Sequence, residues 1–83
     1  MSPTRIVVVD DHPVFRMGMV ALLASIDGFE VVGEAESADE AVEVCGRERP
    51  DVVLMDLQLG DGSGIDATRR VVEHQPGLGV LVV

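Results

Sequence analysis

The apolar positions of this chain fall into short continuous runs separated by longer stretches with helical spacing. Residues 6–9 form an unbroken β-branched run, which predicts a strand buried on both faces, as in parallel sheets. Val52–Met55, after Pro50, and residues 80–83 are similar runs that predict two further buried strands. Phe29–Ala35 partly alternates, which predicts a strand at the edge of the sheet.

Three helices are predicted between these strands. Pro13 suits the first turn of the first helix, and Ser37 with Glu40 forms a capping-box pattern at the start of the second. The predicted apolar faces are Phe15, Met19, Leu22 or Leu23 and Ile26 in the first helix, Ala38, Ala41, Val42 and Cys45 in the second, and Ile65, Thr68 or Arg69 and Val72 in the third. The order β-α-β-α-β-α-β with short connections indicates an α/β fold with a parallel sheet covered on both faces.

Composition narrows the classes of partner. The 83 residues carry 15 acids against 6 lysines and arginines, a net charge of −9. Nucleic acids and anionic membranes are polyanions, so neither is expected to bind this chain directly. The single cysteine, Cys45, forms no internal disulfide, which favours a reducing cytoplasm, and it is expected to pack under the second helix.

Two of the predicted buried strands end abruptly in acid. Asp10 and Asp11 follow the first, and Asp56 follows the third. Ligands of open α/β sheets lie outside the carboxyl ends of strands, so these carboxylates converge if the two strands are neighbours. Two carboxylates ~4 Å apart repel by roughly 4 kcal/mol at an effective dielectric near 20, so such a cluster needs a cation, and a hard ion such as Mg²⁺ fits. An aspartate can then attack phosphorus and carry an acyl phosphate.

Plainer interpretations remain open at this point. An acid at a strand end also serves as a helix cap or a solvated turn residue, and this applies to Asp11 and to Asp56 taken singly. His12 either hydrogen-bonds near the acids or lies exposed at the helix start. The glycines at 60, 62 and 64 predict a loop, and their spacing does not fit the dinucleotide pattern G-x-G-x-x-G.

Three segments resemble the receiver domain of two-component response regulators, in particular the NarL/LuxR-type branch. They are Asp-Asp-His-Pro-Val-Phe-Arg-Met-Gly at 10–18, Phe-Glu-Val-Val-Gly-Glu-Ala at 29–35 and Pro-Asp-Val-Val-Leu-Met-Asp-Leu at 50–57. The resemblance implies a flavodoxin-like, doubly wound parallel sheet in the strand order 2-1-3-4. It also implies that Asp56 accepts phosphate from a sensor histidine kinase, that Asp11 binds Mg²⁺ directly, that Asp10 holds it largely through water, and that the Gln58 backbone carbonyl is the third protein ligand.

The same resemblance exposes departures. Gly60 stands where such receivers usually carry a proline. Residues 1–83 would be the N-terminal part of a receiver, without the fifth strand, the last two helices or the DNA-binding output domain of a transcription regulator. The expectation is therefore that this fragment accepts phosphate and cannot complete the switch.

Two functions other than a receiver also fit parts of the sequence. The first is an assembly module that forms homodimers, or swapped or edge-paired oligomers, through the apolar edge of the fourth strand, independently of phosphorylation. The second is a phosphohydrolase with an aspartate nucleophile, but such enzymes typically begin with two acids separated by one residue, whereas Asp10 and Asp11 are adjacent. The chain is not expected to be an enzyme beyond assisting phosphoryl transfer to its own Asp56.

Overall fold

A computed structural model of the protein describes residues 2–59 and 62–83, with the side chains of all of these except 62 and 63. The elements are β1 (Thr4–Val9), α1 (Pro13–Ala24), β2 (Phe29–Ala35), α2 (Ala38–Glu48), β3 (Val52–Met55), β4 (Gln58–Leu59), β5 (Gly62–Ser63), α3 (Gly64–His74) and β6 (Gly79–Val82).

Four parallel strands form the main sheet in the order β2-β1-β3-β6. Since β6 is the fourth predicted strand, the predicted order is confirmed, as is the position of β2 at an edge. The prediction of a loop at residues 60–64 is wrong where the structure describes them, because Gly62–Ser63 pair with β4 in a short antiparallel hairpin and Gly64 begins α3. Gly60, the position of the missing proline, lies outside the described residues.

The side chains of β1 divide the core into two parts. Val7 and Val9 point into the larger cluster, beneath α2 and α3, whereas Ile6 and Val8 join a smaller cluster with Leu23 of α1. All four are buried, so the prediction of a strand buried on both faces is confirmed. These continuous β-branched residues fill both layers because helices cover the two sides of the strand.

The prediction that residues 80–83 are a buried strand is wrong in its burial. The strand forms, but only Val80 packs against the larger cluster, and Leu81 remains 56% exposed. Its register partner Leu54 belongs to the α1 side of the sheet, where α1 lies over β1 and β2. Leu81 therefore lies on the same face of the sheet as α1, beside a strand that α1 does not cover.

The helical faces were predicted with mixed success. In α1, Met19 and Leu23 pack on the sheet, but Phe15 is exposed. Ile26, predicted for the same helix, lies beyond its end at Ala24 and is exposed as well. In α2, Ala41 and Cys45 are buried as predicted, and Val44 was missed; burial raises the pKa of the Cys45 thiol to about 11. In α3, Gly64, Ala67 and Val71 face the core and Ile65 is exposed. Small residues let α3 pack close to its neighbours, and they determine which face of the helix is buried more strongly than the larger Ile65 does.

The ends of the helices follow the predicted signals. The Ser37 hydroxyl accepts a hydrogen bond from the Glu40 N–H at 3.1 Å, and the Glu40 carboxylate accepts one from the Glu36 N–H at 3.1 Å. Gly28 and Gly77 have positive φ, of 91° and 93°, in the turns after α1 and α3. These turns return the chain to the sheet, so that β2 and β6 enter parallel to β1 and β3.

Candidate functional site: an acidic pocket at the carboxyl end of the sheet

The backbone of the two central strands delivers the acids to one place. Val9 and Met55 are register partners at the ends of β1 and β3. The ladder continues one step further, since the Asp56 N–H donates to the Val9 carbonyl at 2.9 Å and the Asp10 N–H donates to the Ala35 carbonyl at 3.0 Å. Asp10 and Asp56 therefore leave the sheet side by side, as the shared strand edge predicted.

The structure brings together all three predicted acids. One side-chain ligand atom from each of Asp10, Asp11, His12 and Asp56 lies within 4.8 Å of the others. The Asp10 side chain is 8% exposed, that of Asp56 18% and that of Asp11 28%. The pocket is thus sheltered on the side of Asp10 and open to solvent on the side of Asp11 and Asp56.

His12 combines both roles that the sequence left open for it. Its side chain is 69% exposed at the N-cap of α1, yet Nδ1 lies 3.0 Å from oxygens of Asp10 and Asp11 and 3.6 Å from Asp56 Oδ2. Its N–H also donates to Asp10 Oδ1 at 2.7 Å. The hydrogen bond to Asp10, followed by the charge of Asp11, raises the pKa of His12 above its ordinary 6.5. The neighbouring carboxylates therefore favour the protonated imidazole.

Gln58, predicted as a backbone ligand, lies beside the same carboxylate. Its N–H donates to Asp56 Oδ1 at 3.2 Å, and the residue begins the β4–β5 hairpin. This hydrogen bond fixes the rotation of the Asp56 carboxylate, so that one oxygen faces the hairpin while Oδ2 faces His12.

Gly64 is a site residue that sequence reasoning missed. Its N–H donates to the Leu57 carbonyl at 2.8 Å, and a Cβ added to Gly64 would collide with the Asp56 carbonyl oxygen and approach the Leu57 Cα to 2.9 Å. Only glycine lets the start of α3 approach the backbone that follows β3 so closely. The available signal was a glycine at the first helical position, where residues with side chains are usual.

Arg16 was missed as well. Its Nη1 donates to the Asp10 carbonyl at 2.6 Å, and its Nε donates to Glu34 Oε1 at 3.1 Å. A cation in the first turn of a helix interacts unfavourably with the helix dipole. The presence of Arg16 there was therefore a signal that its side chain makes a contact outside the helix.

A cleft of about 490 Å³ opens beside the acids. It is lined by Asp10, His12, Val14, Phe15 and Asp56. Val14 and Phe15 are 83% and 58% exposed, so the wall formed by α1 is apolar, whereas the floor is carboxylate. The arrangement offers oxygen ligands to a hard divalent ion and leaves Asp56 accessible to a reacting group.

A parallel sheet in the order β2-β1-β3-β6 with helices on both faces and three convergent aspartates at its carboxyl end is the architecture of a flavodoxin-like α/β module with an acidic pocket. The chain belongs to the response regulator receiver domain family, whose profile matches residues 6–83. The flavodoxin-like fold implied by the sequence resemblance is therefore confirmed.

Individual relatives agree with this assignment. The response regulator GacA of Pseudomonas viridiflava is 42% identical over 79 residues, which are 95% of this chain and 37% of GacA. A LuxR-family two-component response regulator from Aurantimonas sp. SI85-9A1 is 40% identical with a TM-score of 0.92, over 98% of this chain and 58% of that one. The response regulator domain of Thermotoga maritima CheB is 31% identical with a TM-score of 0.88, over 96% of this chain and 59% of that one.

These relatives also bear on the rival functions. The chain spans little more than a third of GacA and under two thirds of the two solved structures. All are response regulators, and the likeness lends no support to the assembly module or to the phosphohydrolase.

Among the described residues, no helix has the length and apolarity needed to cross a bilayer.

Proposed function

We propose that this chain is the phosphoacceptor part of a cytoplasmic two-component transcription regulator. In this proposal Asp56 takes a phosphoryl group from a sensor histidine kinase, assisted by Mg²⁺ in the acidic pocket. The observation that carries the proposal is the convergence of Asp10, Asp11 and Asp56 within 4.8 Å in a chain of the receiver family. With a net charge of −9, the chain itself is not expected to contact DNA.

The donor set of the pocket fits Mg²⁺. Three carboxylates supply hard oxygen atoms, and Mg²⁺ keeps several waters when few carboxylates bind it. In this assignment Asp11 binds directly, Asp10 acts largely through water, and Asp56 with the Gln58 carbonyl completes the protein ligands. Mg²⁺ bound there would neutralise the charge on the transferring group and on the acceptor.

The protein groups divide the remaining work. Asp56 is the nucleophile: one carboxylate oxygen forms a bond to phosphorus while the bond from phosphorus to the donor's leaving group breaks, which yields an acyl phosphate. The Gln58 N–H holds Asp56 Oδ1 at 3.2 Å, so the other oxygen is the one presented to the cleft. The Asp10 side chain is 8% exposed against 18% for Asp56, so Asp10 is the less accessible of the two to a donor and is assigned to the ion.

The chain acts on itself in this scheme and turns over no separate substrate. A phosphoryl group enters through the open cleft, where the apolar wall of Val14 and Phe15 is available to the donor protein. Transfer adds charge to Asp56, and such a local change in charge can bias a two-state surface in the longer regulator.

Intact-mass spectrometry tests the proposal. After incubation with acetyl phosphate and Mg²⁺, the wild-type chain should gain the mass of one phosphoryl group, and Asp56→Asn should gain none. Asp27→Asn is the matched control, because Asp27 lies in the turn between α1 and β2, at the opposite end of the sheet. Asp27→Asn should gain the phosphoryl mass as wild type does. A chelator that removes Mg²⁺ should abolish this mass gain in both chains. An adduct that survives in Asp56→Asn, or a wild-type chain that stays unmodified, contradicts the proposal.

A further inference from the structure

We propose that Arg16 is a positioning residue for the acidic pocket: its guanidinium fixes the peptide that joins the two metal-binding acids, Asp10 and Asp11. The inference rests on the proposed function for the role of those acids. It concerns a side chain that reaches the site through the backbone and does not touch the reacting atoms.

The contacts of Arg16 run in two directions. Nη1 donates to the Asp10 carbonyl at 2.6 Å, and Nε donates to Glu34 Oε1 at 3.1 Å. Glu36 Oε2 lies 3.9 Å from Nη1. The Arg16 side chain is only 19% exposed, so these contacts form in a partly desolvated place where charge-assisted hydrogen bonds are strong. Arg16 thereby ties the end of β1 to the end of β2.

The orientation of the Asp10 carbonyl affects the position of Asp11. The carbonyl belongs to the planar peptide that leads into Asp11, so its direction sets the direction in which Asp11 leaves the strand. The other polar groups of Asp10 are already held, its N–H by the Ala35 carbonyl and its carboxylate by the His12 N–H. The bond from Arg16 fixes the remaining group, and it is made by a side chain of α1 that also bonds Glu34 of β2.

Lysine is a poor substitute here. A guanidinium presents several N–H donors in a rigid plane and can bond a carbonyl and a carboxylate at once, whereas an ammonium is a point charge on a flexible stem. An Arg16→Lys variant therefore keeps the charge near the pocket and loses the fixed geometry. This separates positioning from a purely electrostatic effect on cation binding.

Arg5 offers a matched control. Its Nη1 donates to the Glu48 carbonyl at 2.6 Å, and its Nη2 lies 3.4 Å from Glu48 Oε1. Like Arg16, Arg5 combines a backbone carbonyl with a glutamate, and it also donates to the Arg49 carbonyl at 3.2 Å, but it lies at the amino end of the sheet. An Arg5→Lys variant therefore measures what loss of such a fork costs when no acidic pocket is involved.

Titration of Mg²⁺ followed by amide NMR spectra tests the inference, because the same spectra report whether each variant is folded. We expect Arg16→Lys to bind Mg²⁺ about tenfold more weakly, as is typical when a residue that orients a metal ligand is lost. Arg5→Lys should bind as wild type does. In phosphorylation by acetyl phosphate, Arg16→Lys should need more Mg²⁺ and recover its rate when the ion is saturating.

A second measurement keeps this inference separate from the proposed function. In the metal-free protein, the backbone N–H of His12 donates to Asp10 Oδ1 at 2.7 Å. Its hydrogen exchange with solvent should be faster in Arg16→Lys than in wild type, and it should keep the wild-type rate in Arg5→Lys. If the wild-type chain binds no Mg²⁺, the proposed function fails, and faster His12 exchange would still support positioning. Wild-type Mg²⁺ affinity or wild-type His12 exchange in folded Arg16→Lys overturns the inference. Should that variant unfold, Glu34→Ala, which frees only Nε, must show both effects to a smaller degree.

Discussion

The acidic side chains at the two ends of the central sheet have different surroundings. At the amino end, Asp51 accepts the Arg5 N–H at 2.8 Å, and Glu48 Oε1 faces the Arg5 guanidinium at 3.4 Å. At the carboxyl end, three aspartates converge on the imidazole of His12. The acids of the first end stabilise the fold, whereas those of the second repel one another and favour a cation. The proposed function is located at the end where these aspartates are concentrated.

The backbone shows the same contrast in packing. At the carboxyl end of β3, Gly64 lies so close to Asp56 that a Cβ has no room. At the amino end, a Cβ added to Gly79 would lie 3.4 Å from the Asp51 carbonyl oxygen, which is an ordinary contact. Beside Asp56 the backbone leaves no room for a side chain at Gly64, while Gly79 at the opposite end has room for a methyl group.

The largest predicted effect tests this difference in packing. Gly64→Ala should destabilise the chain by about 3 kcal/mol, because the new methyl group meets backbone that cannot rotate away. Gly79→Ala should change stability by no more than about 0.5 kcal/mol. Urea unfolding followed by circular dichroism measures both, and it suits a chain without tryptophan or tyrosine. Equal midpoints for the two variants would show that α3 does not approach Asp56 as described.

A smaller effect, opposite in sign at the two ends, tests the difference in charge. In the metal-free chain Asp56→Asn should raise stability by about 1 kcal/mol after solvent screening, since it removes one of three repelling carboxylates. That is a rise of about 4 to 8 °C in the unfolding midpoint of a domain of this size. Asp51→Asn should lower the midpoint slightly, because its hydrogen bond to the Arg5 N–H loses charge assistance.

Adding Mg²⁺ should reverse the order at the carboxyl end. An ion that binds only the folded state raises the midpoint in proportion to the logarithm of its concentration over its dissociation constant. The unfolding midpoints of wild type and of Asp51→Asn should both rise when Mg²⁺ is added, and that of Asp56→Asn should rise less. If Asp56→Asn is destabilised in the absence of metal, the carboxylates at this end are not in net repulsion.

The sequence predicted the charged end of the sheet better than it predicted the packing. Continuous β-branched runs identified β1 and β3, and the acids that end them were enough to predict the convergence of Asp10 and Asp56. Strand ends carry such information because parallel strands place their carboxyl ends at one edge. Phe15 and Ile65 were assigned to the core and are exposed, since a helix offers several apolar faces and tertiary contacts choose among them.

The missed site residues share a physical reason. Gly64 and Arg16 act on the backbone of Asp56 and Asp10, through a close approach and through a hydrogen bond. Neither effect follows from hydrophobic period or from acid spacing, because each depends on where a helix sits over a strand. The β4–β5 hairpin is likewise too short to leave an alternating pattern.

The smallest predicted effect concerns the proton on His12 in the metal-free chain. Its pKa is raised by the hydrogen bond to Asp10 first, then by the charge of Asp11, with Asp56 contributing less. A proton NMR titration in chelator should place the midpoint above 6.5, and Asp10→Asn should lower it more than Asp56→Asn does. Asp27→Asn, at the other end of the sheet, should leave it unchanged.

The sign of the linked stability follows from the direction of this shift. Because the folded chain holds the His12 proton more tightly than the unfolded chain, the contribution is complete below pH 6.5. It declines as the pH rises through the raised pKa of the folded state. His12→Gln should therefore flatten the stability profile in that range, whereas Asp51→Asn should leave its shape intact. A wild-type midpoint at or below 6.5 would mean that the carboxylates do not act on the imidazole, and the contrast between the two ends of the sheet would lose its electrostatic basis.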